Sequence, residues 1–96
     1  MNAIEKIWTD LNKLVPPTGE REGVDLTLLG SSSLSCVGTF LESGTLNTQQ
    51  QQTLQRNLGQ MRQLNPKLTG EHQLYFGLLY RVCEIVSEQL SGAFSD

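Results

Sequence analysis

The amino-acid sequence predicts a single all-α domain, a small four-helix antiparallel bundle over residues 1–96, and three features carry that prediction. Apolar residues recur at three- and four-residue spacing along most of the chain. Pro16, Pro17 and Pro66, together with Gly44 and Gly92, fall where those helical patterns stop. The stretch from Leu74 to Val86 is almost wholly apolar, whereas the pattern before it opens on four consecutive glutamines, Gln49 to Gln52.

The first helix is expected to start at Asn2, whose side chain can cap free amides while Glu5 reaches back in a capping-box arrangement. Ile4, Ile7, Trp8, Leu11 and Leu14 then share one face, and Pro16 and Pro17 end the run. Thr18 to Gly23 reads as a polar connector.

The second segment, Val24 to Glu42, admits two readings. Val24, Leu26 and Leu28 alternate as a strand would; the helical reading, which we favour, takes Asp25 as N-cap, Gly44 as stop, and Leu26, Leu29, Val37, Phe40 and Leu41 as its apolar side. A lone strand has no evident pairing partner elsewhere, and a sheet needs several. Gly30, Ser33 and Gly38 would let another helix approach closely, while lowering intrinsic helicity and inviting a kink near Gly30.

Asn47 with Gln50 three positions on is a second capping-box pattern, opening a third helix that runs through Leu64 and ends before Pro66. Leu54, Leu58 and Met61 form its stripe. Gln51 and Asn47 continue that stripe backwards, so the first turns are expected to lie in solvent. Thr69 is placed to cap the fourth helix, which runs to about Leu90 with Gly92 at its end. One of its apolar rows holds Tyr75, Leu78, Leu79, Val82, Ile85, Val86 and Leu90. A second, rotated row holds Phe76, Tyr80 and Cys83, which widens the apolar arc beyond the roughly 100° that one-sided packing needs. Such a helix is either central or shared with a partner.

With 38% apolar and 18% charged residues, the chain is neither hydrophobic enough for a bilayer nor polar enough for disorder. At this length a domain buries roughly 65% of its unfolded surface, enough for one core. The net charge of −3 opposes a phosphate-seeking surface. Cys36 and Cys83 are far apart and form no CxxC pair, and the N-terminus carries no secretory pattern, since Glu5, Lys6 and Asp10 interrupt it. The expected setting is the cytoplasm with both thiols reduced, no metal, no cofactor and no membrane association.

No catalytic constellation is legible. His72 is the sole histidine, and its neighbour Glu71 points about 100° away on a helix, so a solvated first-turn residue is expected. Ser31 to Ser33 follow Gly30 without a Walker lysine or a GxSxG elbow. Glu20 and Glu22 lie in a Gly-flanked loop, a poor base for fixed acid–base geometry. The expectation is therefore a small non-enzymatic interaction or regulatory protein that presents a helical surface to a protein partner or to its own copy. Phe76, Tyr80 and Cys83 are the expected protein-binding row, because buried aromatic residues can dominate an interface. The alternative is a nucleic-acid-associated regulator. Asn47 to Lys67 contains Arg56, Arg62 and Lys67 and no acidic residue, and Gln52, Arg56, Gln60 and Gln63 can share a polar side. Arg56 and Arg62 nevertheless stand about 120° apart in helical phase, a thin charge density for phosphate binding.

Overall fold

The computed structural model describes residues 3–92, and in it the protein is an all-α four-helix bundle with one small hairpin. The helices are α1 (Ala3–Asn12), α2 (Leu26–Ser43), α3 (Thr48–Leu64) and α4 (Gly70–Gly92), with a 3₁₀ turn at Asn65–Lys67. The Asn2 cap lies outside the described residues. Beyond α1 the chain tightens, Lys13 and Leu14 amides donating to the Asp10 and Leu11 carbonyls, before the two prolines remove further donors.

The second segment contains both readings in series. Val24–Asp25 is strand β2, pairing antiparallel with β1 at Glu20–Arg21, and the helix begins at Leu26. The partner strand that seemed missing is only two residues upstream, inside the expected connector. Glu22 (φ 54°) and Gly23 (φ 76°) form the intervening loop, and two consecutive positive φ values are what a type I′ turn requires. The hairpin is fastened to α2 by the Leu26 amide on the Gly19 carbonyl at 2.8 Å. Asp25 then serves as N-cap, its Oδ1 accepting from the Leu28 amide at 3.0 Å. Gly44 (φ 76°) ends α2, donating its amide to the Phe40 carbonyl.

The capping box at the start of α3 is complete. Gln50 N donates to Asn47 Oδ1 at 2.8 Å, and Asn47 N donates to Gln50 Oε1 at 2.9 Å. This end is less free than the glutamine run suggests: Gln51 Nε2 donates to the Leu46 carbonyl, Leu46 is buried, and Cys36 Sγ lies 3.6 Å from the Gln50 carbonyl. Amide side chains thus tie the α2–α3 connector down where a purely polar stripe predicts projection into water. At the other end, Thr69 contributes its carbonyl to the Gln73 amide, and Gly70 (φ 59°) turns the chain into α4.

The core forms around α4, which packs against α1, α2 and α3. Phe76, Leu79, Val82, Cys83 and Val86 are wholly enclosed, with Leu26, Val37, Leu54 and Met61 contributed by the other helices. Tyr75 and Phe76 meet edge to face at 5.5 Å between ring centroids. Of the small-residue set, Gly38 lies beside Trp8 with room for a Cβ at ordinary contact distance, and Ser33 is enclosed against Asn57 of α3. Gly30 faces open space for a Cβ and is not needed for contact. No helix among the described residues is long and apolar enough to cross a membrane.

Candidate functional site

The double apolar arc of α4 is explained by its central position. Phe76 and Cys83 are fully buried by the surrounding helices and are core residues, so the expected row of Phe76, Tyr80 and Cys83 does not stand on the surface as a unit. Tyr80 alone of the three reaches the margin of the core.

The polar set of α3 divides. Gln52, Arg56, Gln60, Arg62, Gln63 and Lys67 are all exposed, but they serve different faces. Arg56 and Gln60 line a hollow of about 410 Å3 against Asp25 and the half-open Leu28 side of α2. Gln60, Gln63 and Lys67 line a smaller neighbour of about 170 Å3 against Glu22 and Val24. Each cation there faces a wall carrying a carboxylate, which opposes a continuous positive track. Gln52 borders neither hollow. Arg62 turns to the other side of the helix and joins Tyr80.

That junction borders a shallow, mainly apolar surface groove. Around the turn at Asn65–Lys67 a groove of about 410 Å3 lies beside α4, walled by Met61, Arg62, Pro66, Gln73 and Tyr80. Gln73, Gly77 and Tyr80 stand at i, i+4 and i+7 and so share one face of α4. Gly77 leaves that face bare, with nothing within 4 Å of where a Cβ would stand. Arg62 Nε donates to Tyr80 Oη at 3.0 Å, and its guanidinium carbon lies 6.0 Å from the ring centroid. The two side chains therefore fix one another. Asn65, at the base of the groove, donates Nδ2 to the Phe76 carbonyl at 3.0 Å, while its buried Oδ1 has no hydrogen-bond partner. Among the described residues no carboxylate pairs with Arg62; the ion pair formed is Arg81–Glu84.

A second polar feature is internal. Asn57 is 2% exposed and its Nδ2 donates to Ser32 Oγ and Ser33 Oγ, both at 2.9 Å. Ser33 also hydrogen-bonds Cys83, whose thiol is nevertheless pushed up to about 12 by burial, with the nearby Cys36 adding to the shift. Burial likewise raises Cys36 and Tyr75. Both thiols are free and enclosed, an inert setting for sulfur. Among the described residues no three of His, Cys, Asp and Glu are gathered as a metal site, and His72 sits half-exposed in the first turn of α4.

Comparison of the chain with protein-family models, with characterised proteins and with solved structures returned no match. The groove must be read on its own geometry. Sequence reasoning placed Tyr80 and Arg62 in separate candidate sets and passed over Gly77, Pro66 and Gln73. The available signal was Gly77 itself, a glycine set inside an apolar helix next to Phe76, where a gap in the side-chain surface costs helix stability.

Proposed function

We propose that this chain is a small non-enzymatic interaction or regulatory protein, acting in the cytoplasm, that presents the α3–α4 groove to a protein partner or to a second copy of itself. The reading rests on the groove around Gly77, where an apolar floor is bounded by a tyrosine and an arginine joined by a hydrogen bond. Tyrosine and arginine are the residue types in which interface energy concentrates, and prior fixing of their rotamers lowers the entropy lost on binding.

Two measurements test it. Light scattering across a dilution series, for the native protein and for Gly77→Gln, reads the self-association arm: a dimer that the substitution dissociates supports the groove as its contact. Selection of binders from a displayed random-peptide library reads the partner arm, with Gly77→Gln as the blocked control. The new Cβ at Gly77 has nothing within 4 Å, so the added side chain enters the groove without displacing the backbone around it. A monomer that yields no binder sensitive to Gly77→Gln refutes the proposal.

A further inference from the structure

Resting on the reading of the groove as a docking surface, we infer that its occupant is an acidic–apolar segment of a partner protein: an apolar side chain laid over Gly77, with a carboxylate on the same segment held by Arg62. Three observations combine. The floor between Met61, Pro66 and Gly77 is apolar and has room for a side chain, since nothing stands within 4 Å of a Cβ placed on Gly77. Among the described residues Arg62 is the one charged residue lining the groove. Its Nε is committed to Tyr80 Oη at 3.0 Å, which leaves the two terminal nitrogens as a fork aimed away from that bond.

The hydrogen bond from Nε to the phenol, with the guanidinium carbon 6.0 Å from the ring centroid, favours one orientation of the guanidinium before any ligand arrives. Its remaining N–H groups match the two oxygens of a carboxylate in a bidentate pair, the geometry in which Arg is strongest. With no carboxylate of the described residues paired to it, the fork is free for an incoming acid. Phosphate chemistry fits less well, because nucleic acid or a lipid surface engages several cations and this groove offers one. The protein's net charge of −3 repels an acidic segment at long range, but salt screens that repulsion beyond roughly 8 Å and leaves the direct pair.

The test uses the full chain as bait for a displayed random-peptide library, counter-screened against Gly77→Gln. Enriched groove-dependent peptides should carry Asp or Glu within a residue or two of an aliphatic or aromatic side chain. One such peptide is then synthesised with its acid and with the matching amide, and both are titrated by fluorescence anisotropy against native protein and Arg62→Gln. The expected result is a tenfold or greater loss on replacing the acid for the native protein, and less than twofold for Arg62→Gln. Groove-dependent peptides without an acid, an acid whose removal costs the same in both proteins, or a groove filled by a second copy would each overturn this inference while leaving the docking surface standing. Absence of any binder sensitive to Gly77→Gln, in a protein that is also monomeric, overturns both. Circular dichroism of each variant confirms that the fold is intact.

Discussion

Replacing Asn57 by Ala tests the one polar cluster that the bundle encloses. Asn57 donates to Ser32 Oγ and Ser33 Oγ at 2.9 Å each, so the substitution removes two bonds that contribute about 1 kcal/mol apiece. The two acceptors then fare differently. Ser32 is half-buried and already donates to the Leu28 carbonyl at 2.8 Å, so water can replace its lost partner. Ser33 is wholly enclosed and keeps only its contact with Cys83, so the loss of the amide donor there costs about 1 kcal/mol more. The expected loss is about 3 kcal/mol, read from urea unfolding followed at 222 nm; for a domain of this size that lowers the melting temperature by roughly 12–24 °C. Removing both ends should recover part of it. Ser33→Ala combined with Asn57→Leu leaves an apolar contact of similar volume and should cost at least 1 kcal/mol less than the sum of the single changes. A loss below about 1 kcal/mol for Asn57→Ala, or strict additivity in the cycle, refutes the assignment of these bonds as a stabilising cluster.

Three further outcomes follow from local geometry. Gly44→Ala forces a Cβ onto a residue at φ 76° and should destabilise by about 1 kcal/mol, seen as a lower urea midpoint with an unchanged slope. Gly59→Ala lies inside α3 with nothing within 4 Å of the new Cβ, and should stabilise by about 1 kcal/mol in the same assay. For the thiols the sign is set by the direction of the shift: Cys83 is raised from 9.0 to about 12 in the folded protein, so the native state holds its proton where the unfolded state has lost it. That contribution is intact below pH 9 and is lost as pH rises toward 12, so stability should fall above about pH 9, with Cys36 and Tyr75 acting in the same direction. At pH 8 iodoacetamide should label neither thiol until the protein unfolds, and rapid labelling of Cys83 in the native state would contradict its burial.

Where local chemistry decided structure, the sequence was a good guide. Asp25, Gly44 and the Asn47–Gln50 pair all act as the caps their positions predict, because a cap needs only a side-chain acceptor or a φ value, both read within four residues. The hairpin at Glu20–Asp25 escaped because its turn uses Glu22 where Asn or Asp is the usual signal, and its strands are too short to show alternation. Asn57 escaped for a different reason. Its burial depends on Ser32 and Ser33 of another helix arriving at the same height, which no periodicity within α3 reveals. Of the candidate site, Tyr80 and Arg62 were legible as individuals, whereas their hydrogen bond depends on the packing angle of α3 on α4.

The width of the apolar arc on α4 and the existence of the groove have a common origin. A helix contacted by three others needs apolar residues on most of its circumference, so Phe76 and Cys83 answer to packing and carry no information about a partner. What does carry information is the place where that coverage fails. The end of α3 at Leu64 and the turn at Asn65–Lys67, which stays against α4 through Asn65, leave a groove beside Gln73, Gly77 and Tyr80. An alanine in place of Gly77 would place its Cβ against no neighbour and favour the helix by about 1 kcal/mol, as at Gly59. The strip is instead left bare beside an arginine held by its tyrosine and paired with none of the described carboxylates. It is this combination of an uncovered glycine and a neighbouring arginine, and not the buried row of Phe76 and Cys83, on which the proposed docking surface rests, and Gly77→Gln is the change that tests it.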